Sequence, residues 1–423
     1  MRIFYIFLSS ILYPVFTIII FTRKLIGKED IIRYKEKIFS SSFKQISRKK
    51  ERLIWIHAAS IGEVLSIIPV IEKLNKENEN LNFLITTVTK SSADLLEREY
   101  SHLKNLHHRY FPLDNFFLVK KFLKYWSPNL AIFVDSEIWP NFLLQIKKNN
   151  IPLILANARI TDKTFKRWKI VPAFSKKIFN LFDLCLPSSE TSKKNLLNLG
   201  VSKISFIGNL KYSTEFKNIN LEKKKIEILN KYSVWCAASI HKGEEHFFLE
   251  THIKLKSVRS NCLTIIIPRH VSNADYIKKS SEKLKLKAQI LNDNDNINDN
   301  IDILIINSFG VLGKYFNYCD SVFIGKSLLE NLQKVGGQNP IEAAKLGCKI
   351  YHGKYVYNFK EIYEFLKLKK ISFEINSTDM LKNMLLVDFE NKEKINKNLI
   401  VNSINIYGEE ILIKTINKIK KFI

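Results

Sequence analysis

Apolar residues along this chain collect in short runs, and between the runs they recur every three or four positions. The runs Leu53–His57, Phe83–Thr87, Leu130–Val134, Pro152–Ala156, Leu184–Leu186 and Ile204–Ile207 predict strands in the first half. Val234–Ala237, Leu263–Pro268, Ala288–Leu291, Ile303–Ile306, Ser321–Ile324 and Lys349–Tyr351 do so in the second. The stretches between most of them have helical spacing. Val64–Glu77, apolar at 64, 65, 67, 68, 71 and 74, is an example. Strand alternating with helix predicts an α/β protein with parallel sheets covered on both faces.

One run is of another kind. Residues 3–21 carry no charge. As a helix they reach roughly 28 Å at about 1.5 Å per residue, close to a bilayer core. Arg23, Lys24 and Lys28 follow, and only Arg2 and the amino terminus precede. The basic flank stays inside, so residues 1–22 are expected to be a membrane anchor with the globular part on the cytoplasmic face. A cleaved signal peptide has the opposite charge order and a small-residue cleavage site, which this segment lacks. Pro14 is able to kink it, so a shallow monotopic insertion is the alternative to a single span.

The two halves echo each other. LIWIHAASIGE (53–63) and VWCAASIHKGEE (234–245) each read as a strand ending in Ala-Ala-Ser, a short loop, and Gly-Glu opening a helix. Each is expected to be the first strand–helix turn of a doubly wound domain. The polar stretch 213–232 is then a linker between domains at 23–212 and 233–423. The stretch 382–423 has a helical pattern and is able to pack back on the first domain. In such a chain, ligands bind outside the carboxyl ends of the strands, in a cleft between the two sheets.

Composition narrows the classes. With 423 residues, 46% of them hydrophobic, two ordinary cores are possible. Lys and Arg outnumber Asp and Glu by 67 to 41, a formal charge of +26. Nucleic acid, an anionic membrane surface or phosphorylated substrates would each suit that excess, and a general drift toward Lys, Asn and Ile supplies part of it. The five cysteines form no CxxC pair, which argues against zinc and a disulfide framework and fits a reducing cytoplasm. NDNDNINDN (292–300) reads as a solvated surface loop, and His107-His108 as a surface pair. No GxxxxGK[ST] run occurs, and no clean metal-ligand cluster is visible.

Several residues at strand ends are able to carry chemistry. Glu63 follows a strand and begins a helix, where a carboxylate either accepts a proton from an acceptor hydroxyl or merely stabilises the helix start. Asp135 and Glu137 lie just past a strand in FVDSEIWPN (133–141), with Pro140 at the next helix start. Lys211 in IGNLKY (207–212) is placed to neutralise a phosphate or carboxylate, or is one more surface lysine. Arg269, ending the apolar strand IIIPRH (265–270), suits a phosphate. In GGQNPIEAAKLG (336–347) the glycine pair predicts a flexible turn, Asn339 a cap, Pro340 the first helical position and Gly347 the stop. Free N–H groups there are able to hold an anion, and Glu342 a ribose.

Taken in order, IWIHAASIGEV, DSEIWPN, NARITD, PSSETSKKNLLNLGV, GNLKY, AASIHKGEE, IIIPRH and GGQNPIEAAKLG resemble the 3-deoxy-D-manno-octulosonic acid (Kdo) transferases of lipopolysaccharide biosynthesis, from the anchor to about residue 365. The resemblance implies the GT-B arrangement, two facing Rossmann-like domains. It implies transfer of Kdo from CMP-Kdo to the lipid A precursor at the inner membrane, with inversion and without a metal. It assigns Glu63 as general base, Glu137 and Lys211 as transition-state stabilisers, and Pro268, Arg269, Phe309, Gly310, Val311, Asn339, Pro340, Ile341 and Glu342 as residues binding the CMP sugar. Two features depart from the family: Val311 stands where an acid is usual, and GKSLLENLQKVGGQNP (325–340) is longer than usual before its glycine pair. Competing readings are a GT-B transferase for another nucleotide sugar, a catalytically inactive scaffold on anionic lipid, and a nucleic-acid binder. The last lacks any recognised binding motif.

Overall fold

The computed structural model describes residues 2–43, 52–216, 220–308, 310–333, 335–391 and 397–423. The chain divides into two compact units, Met1–Glu215 with Tyr407–Ile423, and Phe216–Ile406.

The first unit is built on six parallel strands, β1 (Arg52–His57), β2 (Leu81–Thr87), β3 (Leu106–Tyr110), β4 (Leu130–Val134), β5 (Leu153–Ala158) and β6 (Leu184–Pro187), in the order β3-β2-β1-β4-β5-β6. That order is the doubly wound one, and β1 stands where the winding reverses. The apolar runs are continuous because both sheet faces are covered. Trp55, Phe122, Phe133 and Phe142 pack into one aromatic core, each fully buried large side chain contributing about 1.5–3 kcal/mol.

Two expectations fail in this sheet. Ile204–Ile207 is no strand; Ile204 makes one isolated bridge to Cys185. The His107-His108 pair is not a surface pair but part of β3, an edge strand. Its polar side chains conceal it from a periodicity argument, yet they are satisfied: Thr87 Oγ1 meets His108 Nε2 at 2.9 Å, and Arg33 donates to the His108 carbonyl at 3.0 Å. Burial, then the charges of Arg33 and Arg109, push the His108 imidazole down to about 3.

The amino-terminal apolar run is not one straight helix. It forms α1 (Arg2–Ile11) and α2 (Tyr13–Leu25), bent by 43°, and no single helix among the described residues is long and apolar enough to cross a membrane. Pro14 at the start of α2 removes a backbone donor where α1 would otherwise continue. One side of the pair is docked on the first unit. Tyr5 donates to Asp114 at 2.8 Å, Asn141 Nδ2 donates to Ser9 Oγ at 3.1 Å, and the Tyr13 hydroxyl donates to the Ile38 carbonyl. The other side leaves Ile3, Phe4, Phe7, Ile11, Val15 and Ile18 exposed.

The second unit has seven parallel strands: β7 (Ser233–Ile240), β8 (Cys262–Pro268), β9 (Ala288–Leu291), β10 (Ile303–Ile306), β11 (Ser321–Ile324), β12 (Lys349–His352) and β13 (Ser372–Glu374), ordered β13-β12-β11-β7-β8-β10-β9. Its first strand, β7, is again central. The sequence echo of 53–63 and 234–245 is thus one local solution used twice: a central strand must turn sharply into a covering helix. The expected linker holds a helix, Lys223–Leu229, and the buried Lys225 ammonium donates to the Asp293 carbonyl at 2.9 Å. The loop at 292–300 is mostly exposed, and the buried Ile297 anchors it. All five cysteines are buried and free.

The last helix, Lys397–Ile419, ends within the first unit. Gly408 lets it approach: a Cβ there would lie 2.1 Å from the Tyr212 carbonyl oxygen. Tyr407 packs edge-on against Tyr212 with ring centroids 5.0 Å apart.

Candidate active site

Four strand ends of the first unit converge on a cluster of acids. β1 ends in His57, whose ring is buried and stacked on Phe111 at 3.6 Å between centroids. Its Nδ1 lies 3.1 Å from both the carbonyl and the hydroxyl oxygen of Thr86, opposite it on β2. Its Nε2 meets Glu137 Oε2 at 3.2 Å. The same oxygen accepts from Trp139 Nε1 at 2.7 Å. Burial alone would raise the Glu137 carboxyl. The hydrogen bond and charge of His57, with the Trp139 N–H, outweigh it and hold Glu137 below its ordinary value, so it stays an anion.

Glu63 lies in the first turn of α3 (Ile61–Glu77), which Ser60 caps in extended conformation. Its carboxylate accepts from the Ala59 N–H at 2.7 Å and the Ser60 hydroxyl at 2.8 Å. These contacts tie the residues leading into the helix, Ala59 and the N-cap Ser60, to its first turn. They also aim the carboxylate back toward the end of β1. Burial, then the charges of Asp135 and Glu137, push Glu63 up to about 7 against those two hydrogen bonds. The geometry is compatible with both sequence readings of Glu63. It serves the helix start, and it is an acid whose basicity fits proton abstraction near neutral pH.

Asp135 follows β4 in the left-handed region, φ +61°, with its Oδ1 buried and without a hydrogen-bond partner among the described residues. Burial raises its carboxyl, and the charges of Lys211 and Arg159 act against that. Lys211 sits in the single turn Leu210–Ser213. Asn209 accepts from the Lys211 N–H at 3.0 Å, and Asn157 accepts from the Leu210 N–H at 3.0 Å. Asn157 is itself left-handed, φ +50°, where the β5–β6 register shifts. Left-handed, buried, non-glycine residues at two neighbouring strand ends are backbone strain stored where the acids gather. The structure thus gathers Glu63 and Glu137 with Asp135, whose charge in turn feels Lys211. Sequence reasoning missed His57 as the partner of Glu137 and Asn157 as the holder of the Lys211 turn. His57 was legible as the polar end of a buried strand. Asn157 was not, because its role depends on a turn more than fifty residues away.

In the second unit, Pro268 ends β8 and Arg269 follows it, exposed, its N–H donating to the Ile240 carbonyl at 2.9 Å. His241, at the neighbouring end of β7, lies with its ring 5.8 Å from that of His270. Gly310 and Val311 precede the short helix Leu312–Phe316, and Glu342 reaches that helix at Gly313, whose N–H it accepts. Burial nonetheless pushes Glu342 up to about 7. Val311 is buried and apolar, so the acid contact absent there is not restored by its side chain. Phe309 lies outside the described residues.

The loop 336–347 differs from expectation. Pro340 is the residue preceding the helix Ile341–Lys345, not its first, and Asn339 bends back to accept from the Ile341 N–H at 3.2 Å. One turn of helix makes a weak dipole, so the helix start by itself offers little to an anion. The glycine pair is tightly packed, not flexible. A Cβ on Gly336 would lie 2.3 Å from the Tyr355 carbonyl oxygen, and Gly337 donates to the Lys326 carbonyl at 2.6 Å. Among the described residues no group of three or more His, Cys, Asp or Glu side chains is set to hold a metal.

Residues 33–214 match the family model described as 3-deoxy-D-manno-octulosonic-acid transferase. The chain is 34% identical over 430 residues to the 3-deoxy-D-manno-octulosonic acid transferase of Rickettsia bellii, covering 100% of this chain and 99% of that protein. It is 29% identical over 330 residues to that of Haemophilus influenzae, covering 77% and 76%. In fold it is similar to a UDP-GlcNAc 2-epimerase from Neisseria meningitidis (TM-score 0.57, 14% identity, 85% of this chain and 99% of that one). A glycosyltransferase from Rickettsia africae gives the same TM-score at 14% identity, over 88% and 99%. Two parallel-sheet Rossmann-like units in series are the GT-B fold. By its 34% identity to the Rickettsia bellii enzyme over essentially the full length of both, the chain belongs to the 3-deoxy-D-manno-octulosonic acid transferases, a glycosyltransferase family.

Proposed function

We propose that this enzyme transfers Kdo from CMP-Kdo to a hydroxyl of the lipid A precursor, with inversion at the anomeric carbon and without a metal. The observation that carries the reading is Glu63: a half-buried carboxylate pushed up to about 7 by burial and by Asp135 and Glu137. Its ionised form accepts the proton of the acceptor hydroxyl as that oxygen bonds to the anomeric carbon. The bond from that carbon to the phosphate oxygen breaks, and CMP leaves with the electron pair. In the first unit Lys211 supplies positive charge and Glu137, kept anionic by His57, stabilises the cationic character of the sugar; in the second unit Arg269 supplies positive charge to the CMP phosphate. Pro268, Gly310, Val311, Asn339, Pro340, Ile341 and Glu342 form the walls around the nucleotide.

We further propose that the protein sits on the cytoplasmic face of the inner membrane through α1 and α2 lying in the interface plane. Tyr5 and Tyr13, on the two helices, both bond to the first unit. A helix inserted across a bilayer would have to give up the first of these. The exposed apolar side is suited to lipid, and the basic composition to anionic headgroups and a phosphorylated acceptor.

The test is transfer by purified protein from CMP-Kdo to the lipid A precursor in EDTA, comparing wild type with Glu63→Ala. Transfer by the wild type and a loss of at least about a thousandfold in the variant are expected. Unchanged transfer in the variant would remove Glu63 from the mechanism, and dependence on added metal would remove the metal-free step.

A further inference from the structure

The buried carboxylate of Glu244 has no part in the scheme above, yet it is among the most heavily bonded groups in the second unit. It precedes the helix Glu245–Lys256 and is fully buried. Its Oε1 accepts from the N–H groups of Ser327 and Leu328 at 2.8 and 3.0 Å. Its Oε2 accepts from those of Lys326 and His241 at 2.7 and 2.8 Å. Four converging backbone N–H groups form a nest of the sort that binds anions, and here the protein fills it with its own side chain. The effect is to join the turn after β7 to the turn after the adjacent β11.

Lys326 lies at that junction. Its φ is +60°, a conformation that a residue with a Cβ rarely adopts. Its N–H is held by Glu244 and its carbonyl by the Gly337 N–H at 2.6 Å. With both backbone groups occupied and a strained φ, the direction in which the side chain leaves the backbone is fixed. The lysine is partly exposed, and no carboxylate among the described residues pairs with it. Its charge bears on the half-buried His241, together with those of His270 and Arg269. Gln338 Nε2 lies 3.4 Å from His241 Nε2. Cations and hydrogen-bonding side chains therefore collect at the carboxyl ends of β7, β8 and β11, beside the point where the winding of the sheet reverses. Ligands of doubly wound sheets bind at such a point.

We propose that Lys326, with His241 and Gln338 beside it, is a phosphate subsite of the donor site, and that Glu244 is its positioning residue. The ligand is the phosphate of a nucleoside monophosphate or its ester, and the assignment rests on the CMP-sugar reading above. It gives the strained lysine a reason: a rigid turn sets the root of the side chain at the strand ends, within reach of a ligand bound there.

The experiment is calorimetric titration of the full chain in detergent with CMP and, separately, with cytidine, which lacks the phosphate. The wild type is expected to bind CMP much more tightly than cytidine. Lys326→Gly, which relieves the left-handed strain while deleting the ammonium, is expected to weaken CMP binding about 10- to 100-fold and leave cytidine binding unchanged. Lys326→Arg is expected to keep most of the preference for CMP. Wild-type affinity for CMP in Lys326→Gly overturns the subsite and leaves the donor reading intact. Equal loss of CMP and cytidine in Lys326→Gly overturns it as well, since the turn would then be only a support. A wild type that does not distinguish CMP from cytidine overturns the donor reading and the subsite together.

Discussion

Replacing Glu63 by Gln should make the first unit more stable at pH 8, measured against its effect at pH 5. In the folded chain the Glu63 carboxyl is raised from an ordinary 4.5 to about 7. A group whose folded pKa exceeds its unfolded one favours folding fully below the unfolded value, and loses that contribution as pH rises through the folded value. For Glu63 the loss runs between about pH 4.5 and 7. At about 1.4 kcal/mol per unit the ceiling is about 3 kcal/mol, and solvent reaching a half-exposed side chain lowers it to about 1–2 kcal/mol. Gln does not titrate, so it escapes this cost. Its altered hydrogen bonds to Ala59 and Ser60 are the same at both pH values and cancel in the comparison. Urea unfolding followed by tryptophan emission reads the effect, since Trp55, Trp126, Trp139 and Trp168 lie in the first unit and Trp235 in the second. The midpoint of the variant relative to wild type should rise by roughly 0.5 M between pH 5 and pH 8. A difference that is flat or falls over that range would show that Glu63 has an ordinary pKa, and the base assignment would lose its physical support.

Other outcomes follow from the supports of the site. Asn157→Ala leaves the Leu210 N–H unsatisfied, a cost of about 1–3 kcal/mol, and frees the Lys211 turn. Transfer should fall about tenfold with CMP affinity unchanged, and Asn157→Asp, which keeps the acceptor, should recover most of it; steady-state rates with parallel CMP titration decide. Gly408→Ala places a Cβ against the Tyr212 carbonyl and should lower the urea midpoint of the first unit by at least about 1 kcal/mol equivalent. Glu244→Gln turns an amide donor toward backbone N–H groups, so the Trp235 transition should weaken by about 3 kcal/mol while that of the first unit stays put.

The sequence made the two doubly wound sheets legible because their central strands are buried on both faces and read as unbroken apolar runs. Its failures lie at the edges. β3 carries two histidines and an arginine, and β13 has only three residues, so neither shows the apolar pattern on which periodicity depends. The acids were legible because Glu63 and Glu137 each follow a strand end. Their partnership was not, since His57 and Glu137 are eighty residues apart and meet only because β1 pairs with β4. The glycine pair at 336–337 was misread for a physical reason. Glycine signals either freedom or close approach, and only the carbonyls of Tyr355 and Lys326 reveal which. The same holds for the amino-terminal run: its apolar length is visible in sequence, but the docking of Tyr5 on Asp114 is not.

The most direct test is the pH dependence of kcat/KM for Kdo transfer, measured from pH 5 to 9 with wild type and Glu63→Gln. The wild-type rate should rise with a slope of one proton and level off near pH 7, and the residual rate of the variant should show no such limb. A wild-type limb at 4 to 5, or the same limb in the variant, would contradict Glu63 as the group that takes the proton.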